Sequence, residues 1–236
     1  MVKPHPAKEA LCYLCGKPLE PPTNADHVPM KQLWTPDIRK IHSPVLKTLK
    51  VHNQCNSDYQ LDEEYFVASI LPMAKGSYAG DSHYRKLEND VRAKKKIPLK
   101  QMVHQEFDFR PGGIFLPSGK VTKHFDRERI DRVVWKIVRG LHFIHHSEIL
   151  PAKWRIVRDI FIDQPPDHFR WFMLQPDNPE RGNYPGVFSY RFKQVTEQEK
   201  MQYWAMLFLD RIIITAFFHH PSCDCESCSE IRSGQV

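Results

Sequence analysis

Two short cysteine-bearing motifs constrain this chain more than any other feature. Cys12-Tyr-Leu-Cys15 stands near the start, and His52-Asn-Gln-Cys55 follows well downstream. A C-x-x-C turn lets two thiolates reach one ion, and an H-x-x-C pair can supply the other two ligands of a tetrahedral zinc. Such an ion pins two distant turns together. Residues 1–66 are short and turn-rich, with Pro21-Pro22-Thr23-Asn24 as a turn signal. A segment of that size builds little core, so a metal would supply the missing stability. Gly16 follows the first pair, as zinc knuckles prefer. The alternative is two buried cysteines and an unrelated third. Close cysteine pairs with histidines nearby suit metal better than a disulfide framework.

Zinc alone implies only a binding module, and the residues between and after the ligand pairs add chemistry. Asp26-His27 sets a hard oxygen ligand beside a base that titrates near neutral pH. Asn56 directly follows the last zinc ligand, so its amide oxygen is held by a fixed backbone. A carboxylate and an amide oxygen suit Mg²⁺ or Mn²⁺. A histidine beside such an ion can take a proton from an attacking water. A lone Asp-His pair carries no such meaning; the two framing motifs give it one.

Together these residues resemble an HNH endonuclease, whose pattern is C-x-x-C, then D-H, then C-x-x-C-N. The likeness is to a bacterial branch reading roughly D-H-V-P-P-K-x-L-F, V-P-x-C-x-x-C-N and D-E-E-Y-F. This chain has Asp26-His27-Val28-Pro29-Met30-Lys31-Gln32-Leu33-Trp34, then Val51 to Asn56, then Asp62-Glu63-Glu64-Tyr65-Phe66. Lys136 to Phe143 is a weaker match further on. The resemblance implies a zinc-stapled ββα-metal fold in which a β-hairpin and a helix grip the metal. It implies His27 as general base, Asp26 and Asn56 as ligands of a catalytic Mg²⁺ or Mn²⁺, and Cys12, Cys15, His52 and Cys55 as ligands of a structural zinc. The implied activity is hydrolysis of phosphodiester bonds in nucleic acid, with DNA as the expected substrate. The rival is a catalytically silent zinc module that binds nucleic acid or protein. The chain departs from the family at Lys47-Thr48-Leu49, where many members carry an asparagine. It departs again at His52, where cysteine is commoner, and it lacks the usual glycine pair after D-H.

Charge is uneven: residues 1–66 are neutral overall, residues 67–154 carry +8 and residues 155–236 carry −2. A basic middle third suits either a solvated surface or a polyanion partner. Its clearest helix spans about Asp126 to His146, with Ile130, Val133, Val134, Ile137, Val138, Leu141 and Ile144 at the spacing of one buried face. Arg129, Arg132, Lys136 and Arg139 form a stripe beside that face. Solvated surface is its ordinary reading, and nucleic-acid contact through Arg132, Lys136 and Arg139 is the functional one.

The expected architecture is α+β, with an HNH domain at residues 1–71 and a larger α+β domain at 72–236. Strands are expected at Val45–Val51, Gln105–Arg110, Gly113–Leu116, Lys120–Lys123 and Val187–Lys193. Helices are expected at Leu61–Leu71 and Ser82–Lys96, with a hinge over Pro72–Asp81. Gln202–Phe218 reads as a buried helix or as helix plus strand, since periodicity does not decide between them. Trp135, Trp154, Trp171 and Trp204 are expected in the core, and His145-His146 at a helix end. Asp62 and Glu63 suit a helix start and, less simply, partners of the site. The tail after Pro221 reads as loose, although Cys223, Cys225 and Cys228 with His219 and His220 could form a second metal site. No apolar run spans a bilayer, and Met1 to Pro6 shows no leader. A cytoplasmic protein with no membrane partner is therefore expected.

Overall fold

The computed structural model describes residues 11–42, 46–92, 95, 97–117, 120–151, 155–195, 201–223, 225–226 and 228–229. The start of the chain, part of the lysine run Lys94-Lys95-Lys96, Trp154 and the last residues of the tail lie outside them. The architecture is α+β, as the sequence implied.

The N-terminal part begins with a tight knuckle. Gly16 N–H bonds to Cys12 C=O at 2.7 Å and Cys12 N–H to Lys17 C=O at 2.9 Å. Gly16 sits at φ +79°, a conformation that side chains disfavour. Strand β1 (Thr23–His27) pairs antiparallel with β2 (Thr48–His52), and helix α1 (Pro36–His42) lies between them in sequence. The ladder matches Thr23 with His52 at one end and His27 with Thr48 at the other. Helix α2 (Asn53–Ser57) starts as β2 ends, and α3 (Gln60–Ile70) follows it. The segment read as a hinge is instead a 3-10 turn, Leu71–Ala74, leading into α4 (Tyr78–Arg92). There Gly80 lies so close to the Ala74 carbonyl that no side chain fits.

Helix α5 (Ile97–Gln105) leads to a two-residue pairing of β3 (Phe107–Asp108) with β4 (Thr122–Lys123). The strand expected at Gly113–Leu116 does not form. Pro111–Gly113 makes a 3-10 turn there, with Gly112 and Gly113 both at positive φ. Helix α6 (Arg127–His146) matches expectation closely. The Asp126 side chain accepts from Arg129 N–H at its start, and Ser147 turns left-handed at its end.

The C-terminal part is a five-stranded antiparallel sheet in the order β5-β9-β8-β7-β6, with a short helix α7 (Asp167–Met173). Its strands are β5 (Arg155–Ile162), β6 (Arg181–Tyr184), β7 (Phe188–Val195), β8 (Met201–Phe208) and β9 (Ile212–His219). Residues 202–218 are thus two strands and contain no helix. Leu209 and Asp210, both at positive φ, make the turn between them, and the Asp210-Arg211 break in the apolar run marks its place. Trp204 is fully buried, Trp135 partly so, and Trp171 is 71% exposed, against the expectation for a core residue.

One core of buried apolar side chains runs from Cys12 to Phe218 and crosses the boundary read at residue 71. Phe66 of α3 meets Phe208 of β8 edge-on, and Lys47 N–H donates to the Tyr184 hydroxyl. Helix α6 sits at the centre of this core. Gly140 lets it approach, since a Cβ there would come within 2.7 Å of Val28 and 3.2 Å of Tyr13. The described residues include no helix long and apolar enough to cross a membrane.

Candidate functional site

The first cysteine cluster assembles as its spacing requires. The ligand atoms of Cys12, Cys15, His52 and Cys55 all lie within 4.8 Å of one another. His52 Nδ1 is 3.4 Å from Cys15 Sγ and 3.7 Å from Cys55 Sγ. Its other ring nitrogen, Nε2, lies 2.9 Å from the Pro18 carbonyl. The backbone N–H of Glu20 also lies 3.2 Å from Nε2. In a metal-ligating tautomer the Nε2 proton would bond the Pro18 carbonyl and leave the Nδ1 lone pair facing the sulfurs. Burial, with Cys15 and Cys12 beside it, pushes the Cys55 thiol up to about 12. Crowded thiols ionise together only with a cation among them, so this cluster could hold a structural metal such as zinc.

Cys55 and Asn56 are adjacent on α2, about 100° apart around the helix. One faces the sulfur cluster and the other faces a cleft of about 480 Å³, also lined by Asn24, Asp26, His27, Lys31, Arg39, Glu63 and Lys86. Asn24 and Asp26, two apart on β1, share a strand face. Asn56 Nδ2 donates to Asn24 Oδ1 at 3.3 Å, which aims its amide oxygen the other way. That oxygen meets Lys136.

Lys136 Nζ donates to Asp26 Oδ1 at 2.9 Å, to Asn56 Oδ1 at 3.2 Å and to Glu63 Oε1 at 2.5 Å. Three oxygens from three elements thus converge on one positive charge, itself only 2% exposed. The Tyr13 hydroxyl donates to the remaining Asp26 oxygen at 2.5 Å, and burial and Asp26 together raise the Tyr13 pKa well above its ordinary value. Burial raises the Glu63 carboxyl against the opposing pull of Lys136. At His27, burial and the nearby Lys31 lower the pKa and outweigh Asp26. The ring is therefore neutral at pH 7 and able to accept a proton.

The basic stripe of α6 is corrected by this arrangement. Lys136 and Arg139 are 2% and 8% exposed, so neither lies on a solvent face that nucleic acid could touch. The stripe faces the acids of α3 instead: Arg129 and Arg132 both pair with Asp62, at 2.8 and 2.9 Å, and Lys136 pairs with Glu63. Arg139 donates to the Leu14 carbonyl inside the first knuckle. Only Arg132 of the three keeps a half-exposed side chain. A 3.6-residue period separates the two faces of a helix but does not say that the second is also covered.

Glu63 is both a helix-start acid and a member of the cleft, the less simple of its two readings. Lys31, Arg39 and Lys86 bring positive charge to the cleft; Lys31 and Arg39 were hidden in a segment that is neutral overall, and Lys86 was one of many cations in the basic middle third. A second group of metal-type donors, His219, Cys223, Cys225 and Cys228, gathers at the end of β9 and could likewise hold a structural metal such as zinc. No family model, curated protein or solved structure matches this chain.

Proposed function

We propose that the chain is a metal-dependent endonuclease of the HNH type, acting on DNA. The observation that carries this reading is the shared cleft. His27, neutral at pH 7, opens onto the same space as Asp26 and Asn56, whose oxygens already accept from one cation. Hard oxygens gathered around a positive charge are a donor set suited to a divalent ion. Asp26 and Asn56, with Glu63 beside them, would hold Mg²⁺ or Mn²⁺, which would polarise the phosphate and stabilise the leaving oxygen.

The chain's own residues do the rest. His27 takes the proton of the attacking water. Lys31, Arg39 and Lys86 attract the phosphate backbone, a contact that positions without reading sequence. Tyr13 and the β1–β2 ladder fix Asp26, and the hydrogen bond to Asn24 fixes Asn56. Cys12, Cys15, His52 and Cys55 hold the knuckle and α2 in register, so the zinc role is structural.

One observation favours the silent zinc module as a second reading. The Lys136 ammonium stands where a divalent ion would stand and supplies half its charge, and all three oxygens accept hydrogen bonds from it. In the nuclease reading Lys136 gives up these contacts when the ion binds.

A plasmid-cleavage assay with Mg²⁺ or Mn²⁺, with and without EDTA, tests the proposal. Wild type is expected to nick or cut, EDTA to stop it, and His27→Ala to keep fold and zinc while losing activity by about 10²–10⁴-fold, the usual worth of a general base. Indifference to His27→Ala, or no metal-dependent cleavage of any DNA or RNA, favours the silent module.

A further inference from the structure

The end of β9 carries donors that the proposed nuclease site does not use. His219 closes that strand, and Cys223, Cys225 and Cys228 follow within ten residues. The four ligand atoms lie within 4.8 Å of one another. His219 Nδ1 is 3.6 Å from Cys223 Sγ, 3.5 Å from Cys225 Sγ and 3.5 Å from Cys228 Sγ.

These three near-equal distances have a simple geometric source. With Zn–S of about 2.3 Å and Zn–N of about 2.0–2.1 Å at tetrahedral angles, each nitrogen-to-sulfur edge is about 3.5–3.6 Å. Hydrogen bonding does not explain all three, because a neutral ring nitrogen has one lone pair and accepts one S–H. Nor are the cysteines joined in disulfides. Three soft sulfurs and an imidazole select zinc over magnesium or calcium. His219, Cys223 and Cys228 are 6%, 2% and 6% exposed, so the donors are already withdrawn from water.

We infer that this chain binds a second zinc ion, in a closed Cys₃His site formed by His219, Cys223, Cys225 and Cys228. Four protein ligands leave no open position, so the ion is structural. It clips the tail after Pro221 onto the sheet where β9 ends. His219 is level with Met201 of β8 and Arg155 of β5, and its neighbour Phe218 meets Trp135 of α6 edge-on at 5.5 Å. The clip therefore fixes the ends of three strands and one contact with the central helix.

The test compares the zinc content of the full wild-type chain with that of the double variant Cys225→Ser/Cys228→Ser, by elemental analysis after removal of loosely bound metal. The expected result is two zinc ions per wild-type chain and one in the variant. Equal content in the two overturns the inference. If the variant does not fold, the wild-type count decides alone: two ions per chain support the second site, and one or none overturns it. Tetrahedral cobalt spectra supply a second readout on folded protein. Cobalt-loaded wild type is expected to show more thiolate-to-metal absorption than the variant, and identical spectra overturn the inference.

Discussion

The two Cys/His clusters use the same donor types and are built in opposite ways. In the first, Cys15 and His52 stand 37 residues apart, and their ion would tie a turn to a hairpin. In the second, His219 and Cys228 are 9 residues apart, and the ion would tie a strand end to the chain that leaves it. Lengthening a closed loop costs about 0.6 kcal/mol per doubling, so the entropic difference between them is only about 1 kcal/mol. What separates them is what each holds in place. The first cluster adjoins Tyr13, which bonds Asp26, and sits one residue from Asn56, so the cleft is assembled around it. The second finishes the β5-β9-β8 side of a sheet, where those three strands already pair over their full length. Ligand sets of one kind thus serve as foundation in one place and as trim in the other.

The largest effect that can break this comparison is expected from Cys55→Ser. Loss of a structural zinc removes folding free energy that sets the state of a small segment, so the hairpin and α2 should unfold while the five-stranded sheet persists. Amide hydrogen exchange resolves the two regions. Uniform protection in Cys55→Ser would show that the first cluster is no more a foundation than the second.

A smaller loss is expected from Lys136→Met, about 3–5 kcal/mol, since it leaves Asp26 and Glu63 buried without their cation. Thermal melting reads it directly. Millimolar Mg²⁺ should recover part of the lost stability if these oxygens take a divalent ion, and recover nothing in the silent-module reading. The tail cluster should keep its zinc throughout.

The smallest effect is expected at Gly140→Ala, about 1–3 kcal/mol, because a methyl group there collides with Val28 and Tyr13. The change pushes α6 off the first knuckle and leaves the tail cluster untouched. A variant that loses zinc from the second site before the first would reverse the ranking proposed for the two.

The sequence made the first cluster legible because its four ligands come as two short motifs, and α6 legible because seven apolar residues keep one helical phase. Residues 202–218 were not legible. Both strands of that hairpin are largely apolar and are buried in runs, Gln202 to Trp204 and Ile214 to Ala216, so no period of two stood out. Asp26, His27 and Asn56 were readable as candidates from their neighbours. Lys136 was readable as one charge in a stripe and as the start of a weaker family-like segment, but not as a partner of Asp26, Asn56 and Glu63, which lie 73 to 110 residues away in sequence. Periodicity gives a side chain's direction but not its destination.

The lysine among the three oxygens also bears on the order in which the molecule is made ready. A buried acid pair that carries its own counter-charge has no need of a divalent ion in order to fold. In the nuclease reading, maturation would divide into two stages: zinc would enter while the chain takes shape, and the hard cation would arrive later, at a finished protein. Between those stages the cleft would stand assembled, its two acids sharing a single ammonium.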